Sequence, residues 1–267
     1  MPIPSMHTRP SSSPASASSQ DFKSCYVSAS AAPLVEMCPS GFGDGAAALG
    51  FALAWMKASA QDGLLVWTAP DHIFSEHGAP NAEGLAQFGI DPKALVLVRA
   101  PNQIQALWAA EQALTLPCAQ VLCVIAANPK SLSLAASRRL LLTAEKSGAR
   151  CVLLRFDALA PSAARSRWRV SAAASDNPFD PQTFGSRELG PPAFDVRLER
   201  NRASPAGQSW RVDWNAHEHV FRERAIESAN AAPANSNERK SNRAALAVPA
   251  SATIVDGPGA AQRRRAG

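Results

Sequence analysis

The sequence predicts an α/β domain: a mostly parallel sheet flanked by helices, with a C-terminal antiparallel hairpin. Three observations predict it. Between about Pro33 and Phe221, short apolar runs alternate with amphipathic stretches of roughly ten to fifteen residues, the rhythm of strands interleaved with helices. Several of those runs are apolar at consecutive positions, as strands covered on both faces must be. After Pro161 the pattern changes to alternation, the sign of a strand with one face in solvent.

The elements follow in order. Residues 32–38 (APLVEMC) form a first strand that ends at Pro39, and the loop after it holds Gly41, Gly43, Asp44 and Gly45. From Ala46 to Ser59 every residue but Lys57 is small or apolar, and Leu49, Leu53 and Met56 share one helical face. Gly63 is a plausible stop for that helix, and residues 64–68 (LLVWT) read as a buried strand. His72, Glu76 and His77 fall in a polar, Gly- and Pro-punctuated stretch that reads as a loop. Asn81 caps a short helix to Phe88, and Asp91-Pro92 marks a turn.

A third strand spans residues 94–99 (ALVLVR). Asn102 then caps a helix to Leu116 whose apolar stripe is Ile104, Leu107, Trp108, Ala110, Ala113 and Leu114. In that reading Trp108 is a packing anchor and Glu111 a surface charge. Residues 121–127 (VLCVIAA) suit a central strand. Ser131 or Ser133 caps a helix that carries Leu134, Leu141 and Leu142 and stops at Gly148, and residues 151–156 (CVLLRF) complete another β-α-β unit. Alternating strands follow at 168–173, 194–202 and 209–214. The last two are joined by a Pro/Gly turn as a hairpin at the sheet edge, and residues 174–192 read as a loop. The chain therefore divides into a disordered leader (1–31), the α/β domain (32–225) and a disordered tail (226–267) that ends in three arginines.

Composition narrows the function. No run is long and apolar enough to span a bilayer, and the Ser/Pro-rich leader is no secretory signal, so the expected setting is the cytoplasm, without membrane contact. The five cysteines form no CxxC pair, which fits free thiols in a reducing compartment rather than zinc or disulfides. Between Arg138 and Arg169 there are eight basic residues (Arg138, Arg139, Lys146, Arg150, Arg155, Arg165, Arg167, Arg169) against Glu145 and Asp157. Two readings of that excess stay open: a surface for nucleic acid or an acidic partner, or solvated positions beside buried strands.

A Gly-rich loop between the first strand and first helix of a parallel sheet is where a phosphate-binding loop belongs. That chemistry needs a Lys to reach the phosphates and a Ser/Thr hydroxyl for magnesium. Here Gly45, Ala46 and Ala47 stand in those places, and Asp44 adds a negative charge. A wrong-sign charge about 4 Å from a phosphate costs roughly 4 kcal/mol at an effective dielectric near 20. The acid that would hold magnesium at the end of the central strand is missing too, since that strand ends in Ala126, Ala127 and Asn128. The expectation is no nucleotide cofactor, no ATPase activity and no catalytic residue.

The segment LVEMCPSGFGDGAAALGFALAW resembles the first strand, loop and helix of RecA-type recombinases with the phosphate-loop residues removed. GLAQFGIDPKALVLVRA, NQIQALWAAEQAL, LSLAASRRLLLTAEKSGARCVLLRF and SAARSRWRV, in order and spacing, resemble the ImuA family of SOS-mutagenesis proteins, as does the closing FDVRLERNRASPAGQSWRVDW. The resemblance covers about Leu34 to Phe221. It implies a RecA-like fold of the P-loop NTPase type and a damage-inducible accessory protein of translesion synthesis. It implies as partners an ImuB-like polymerase subunit, an error-prone polymerase α subunit and RecA itself, with DNA met directly or through them.

The candidate contact residues are Arg138, Arg139, Arg165, Arg167 and Arg169. Arg138 and Arg139 face outward on their helix, where bidentate pairing with partner carboxylates is available. Trp168 and Val170 share one face of their strand, Trp168 as core, and Arg167 and Arg169 share the other, facing a neighbour or DNA phosphates. His72, Glu76 and His77 lack a third ligand at convincing spacing for a metal site, and His217, Glu218 and His219 fare no better. Two alternatives remain beside the accessory role: a nucleotide-dependent RecA-like ATPase or switch using ligands such as Asp44 or Asn128, and a DNA-binding module built on the Arg138–Arg169 region.

Overall fold

The structure, a computed structural model, describes residues 21–59, 63–117, 119–126, 132–156, 161–175, 190–203 and 205–224. The leader up to residue 20, Cys118, Asn128, most of the expected 174–192 loop and the tail lie outside the described residues. The chain divides after Glu227, and every described residue belongs to the first unit.

The helices are α1 (Phe22–Ser30), α2 (Gly45–Ala58), α3 (Asp71–His77), α4 (Ala82–Gln87), α5 (Gln103–Ala113) and α6 (Leu134–Ser147). The strands are β1 (Leu34–Pro39), β2 (Leu65–Pro70), β3 (Leu95–Ala100), β4 (Gln120–Ile125) and β5 (Arg150–Arg155), then β6 (Ser166–Ala172), β7 (Ala193–Asn201), β8 (Ser209–Asn215) and β9 (Val220–Arg224). They form one sheet in the order β3-β2-β4-β5-β1-β6-β7-β8-β9. β1 to β6 pair in parallel, and from β6 onward each pairing is antiparallel. This is the predicted class: α/β, a mostly parallel sheet flanked by helices, with an antiparallel C-terminal extension.

The chemistry of the caps explains the helix starts. Asn81, Asn102 and Ser133 each accept a backbone N–H of the first turn, from Gly84, Gln105 and Ala136. Gly148 ends α6 with φ 76°, a left-handed conformation that a β-carbon would strain. Strand alternation sorts the core into two layers. Val35, Met37, Leu122, Val124, Val152 and Leu154 face α2, whereas Leu34, Val121, Cys123, Ile125, Cys151 and Leu153 face α5 and α6.

Four expectations need correction. The leader ends sooner than residue 31, because Phe22, Cys25 and Ala29 make a buried stripe that turns residues 22–30 into a helix. The Phe22 ring meets Trp168, Trp210 and Phe221 edge-on at 5.6–6.0 Å. The stretch around His72 and Glu76 is a helix, with Ile73 and Phe74 turned inward. The β7–β8 hairpin forms but is not the edge, since the short, charged β9 covers it. The apolar stripes were partly misassigned: Ala106, Leu107, Ala110 and Ala113 bury α5, and Ala136, Ser137, Leu140, Leu141 and Ala144 bury α6. Ile104, Trp108, Leu134 and Leu142 are exposed instead.

Candidate functional site

The loop from Pro39 to Gly45 opens onto a cleft of about 1060 Å³. Its walls come from the loop itself, the start of α2, strands β2, β4 and β5, and most of α3 with the Gly78–Pro80 turn after it. Leu49, Trp67, Ile73, Phe74, Val124 and Leu154 make much of the lining apolar. His72, Glu76 and His77 line it too, and no cluster of three metal-ligating side chains exists among the described residues.

Two of the chain's own side chains, Asp44 and Phe156, stand beside the loop. Helix α2 starts at Gly45 with its free N–H groups toward the loop, an anion-attracting end. Asp44 brings a carboxylate of the chain itself to that end. Its Oδ1 accepts the Ala172 N–H at 3.1 Å, tying the loop to the end of β6. Its Oδ2 lies 3.3 Å from where a β-carbon on Gly41 would be. Across the loop, the Phe156 ring stands 2.9 Å from a β-carbon built on Gly45, so any side chain there displaces the ring. Phe156 stacks on His77, with ring centres 5.8 Å apart. Gly43, by contrast, is open, and Phe42 is fully exposed.

The strand end opposite is closed by an amide. Gln103 donates from Nε2 to the Val124 carbonyl (3.2 Å) and accepts the Ala126 N–H on Oε1 (2.9 Å). The sequence offered Ala126 at the end of that strand, and the structure adds the neutral side chain that satisfies it. Arg169 is the Lys/Arg cation lining the cleft. It chelates Glu199 (3.0 and 3.2 Å) and donates to the Pro39 carbonyl (3.1 Å), so its charge is spoken for.

The candidate arginines are not one free cationic patch. Arg139 pairs with Glu111 (3.1 Å), Arg165 with Glu145 (2.5 Å) and Arg169 with Glu199. Arg167 donates to Glu36 (2.8 Å) and is only 14% exposed. Glu36, Glu111 and Glu199 lie outside residues 138–169, so the excess of six positive charges counted along the chain (8 − 2) is halved in space (6 − 3). Arg138 is exposed and has no ion pair among the described residues. Trp168 is wholly buried, as the alternation required.

Glu36, which the sequence did not single out, is the best-defended polar group of the sheet. It is fully buried on β1, with Arg155 at 2.6 Å, Arg167 at 2.8 Å and Arg200 at 3.5 Å. Burial alone would raise its pKa. The Ser162 and Arg155 hydrogen bonds and the Arg167 and Arg155 charges outweigh burial and hold the carboxyl below its ordinary value. The signal was available: an acid inside LVEMC has to be partnered. Its partners, far away in sequence, were not. Burial raises the Cys38 thiol to about 11 and the Cys123 thiol to about 12, so neither supplies a nucleophile. His217 and Glu218 belong to the β8–β9 turn, where Glu218 pairs with Arg222 and His219 stacks on Trp214.

No protein-family model and no curated protein matches the chain. Among solved structures, it is similar to SulA from Pseudomonas aeruginosa, at 20% identity over 47% of this chain and 98% of that one, with a TM-score of 0.36. It is also similar to the RadB recombinase, at 17% identity over 69% of this chain and 89% of that one, with a TM-score of 0.45. Likeness at this level carries nothing about function, and the fold stands on the strand order itself. No helix among the described residues is long and apolar enough to cross a membrane.

Proposed function

We propose that this chain is a noncatalytic accessory protein of DNA-damage-induced translesion synthesis, an ImuA-type partner of an ImuB-like polymerase subunit and an error-prone polymerase α subunit, with RecA as a further contact. The observation that carries the proposal is the loop before α2, which has neither the Lys nor the hydroxyl that phosphate binding needs. Asp44, at the helix end that would take a phosphate, turns its carboxylate to the Ala172 N–H, and the Phe156 ring, stacked on His77, stands over Gly45. A RecA-like sheet kept intact around such a site retains its value as a scaffold for protein contacts. The ordered resemblance from Leu34 to Phe221 supplies the identity of the partners.

Co-expression with the ImuB-like subunit tests this reading. The two proteins are expected to elute together through affinity and size-exclusion steps, and the purified chain is expected to release phosphate from ATP no faster than buffer. Steady turnover by the chain, or failure of the two proteins to associate at any salt concentration, would overturn it.

A further inference from the structure

Ten large apolar side chains among the described residues are exposed, and half of them belong to one helical layer: Ile104, Trp108, Leu116, Leu134 and Leu142. That layer is α5, its C-terminal extension and α6, which pack side by side over one face of the sheet. Ile104 and Trp108 are one turn apart on α5, 80% and 62% exposed. Leu134, Arg138 and Leu142 succeed one another at four-residue intervals on α6, and both leucines are more than half exposed. The Glu111–Arg139 ion pair joins the two outward faces one turn beyond Trp108. A monomer has no use for a Trp and an Ile in solvent beside a well-packed core, and such clusters mark contact surfaces.

The charges around this patch say what it contacts. Its acids are already answered, Glu111 by Arg139 and Glu145 by Arg165. Arg138 and Lys146 are exposed with no carboxylate opposite them among the described residues. The unbalanced charge is therefore positive, and it borders the apolar residues.

We propose that the outer face of α5 and α6 is the docking site for an amphipathic helix of a protein partner, apolar along one face and bordered by Asp or Glu. This deepens the accessory-factor reading and rests on it for the biological partner, but not for the chemistry. Trp108 and Ile104 take the apolar stripe, and Arg138 and Lys146 take the carboxylates.

The test uses the full chain and two labelled helical peptides, each with Leu along one face. One carries Glu at its borders and the other Lys. The acidic peptide is expected to bind with micromolar affinity, about tenfold or more tighter than the basic one. Ile104→Ser with Trp108→Ser is expected to weaken it by about tenfold or more, as is Arg138→Glu with Lys146→Glu, whereas Val220→Ser on β9 leaves it unchanged. Circular dichroism confirms that each variant is folded. No binding of the acidic peptide, equal binding of both peptides, or indifference to the α5–α6 substitutions would each overturn the proposal. Binding as expected, together with failure of the ImuB-like subunit to associate, would leave the surface standing and remove only the named partner.

Discussion

Glu36→Gln is expected to destabilise the folded domain by about 3–5 kcal/mol, because it removes the buried carboxylate that Arg155, Arg167 and Arg200 share. Arg155 is 1% exposed and cannot reach water, whereas Arg167 and Arg200 are nearer the surface and can re-solvate. Replacing both partners with apolar residues (Glu36→Leu with Arg155→Met) is expected to recover much of the loss, since neither buried charge then remains. Chemical denaturation of the three proteins at neutral pH measures this.

The same group sets an acid limit. Because its folded pKa is depressed, Glu36 contributes stability above the ordinary carboxylate range, near pH 4, and loses it as pH falls through the folded value. The wild type should lose stability steeply below about pH 4, and Glu36→Gln should start lower and fall less. Equal slopes in the two proteins would show that Glu36 is not the group responsible.

Trp168→Ala is expected to cost about 3–5 kcal/mol. The side chain is fully buried at the meeting point of α1, α2 and the antiparallel strands, with Trp55, Trp210, Phe22 and Phe51 at centroid distances of 5.2–6.2 Å. Trp168→Phe is expected to cost far less, because the buried indole N–H has no hydrogen-bond partner among the described residues and Phe removes that liability. Hydrogen exchange should report the coupling: amides of residues 22–30 should lose protection in Trp168→Ala before those of β4 and β5 do. Undiminished protection there would show that α1 is anchored some other way.

How much of this was legible in the sequence depends on the range of the interaction involved. Strands β1 to β8 and helices α2, α4, α5 and α6 rest on local signals, namely apolar runs and the capping side chains of Asn81, Asn102 and Ser133. Helix α1 hid in an Ala/Ser-rich leader because its stripe is only Phe22, Cys25 and Ala29, and one of the three is small. Strand β9 is short and carries Arg and Glu, so alternation had little to act on.

Periodicity also cannot tell a face buried in its own core from one left for another molecule, and so Ile104 and Trp108 were read as core. The missing Lys and hydroxyl of the cradle were plain in Gly45-Ala46-Ala47. The contacts around the loop were not, because Phe156, Gln103 and the Asp44–Ala172 contact join segments far apart in the chain. The apparent basic patch failed for the same reason: Glu36 and Glu199 reach Arg167 and Arg169 across the sheet.

Calorimetric titration of the purified full chain with magnesium-ATP tests most directly whether this scaffold has lost its nucleotide. A loop without Lys or hydroxyl, with Asp44 at its end, predicts no saturable heat at millimolar ligand. Saturable binding tighter than about 100 μM, roughly −5.5 kcal/mol, would contradict it. If that binding vanished on displacing Phe156 by Gly45→Leu, the triphosphate would be assigned to the loop itself.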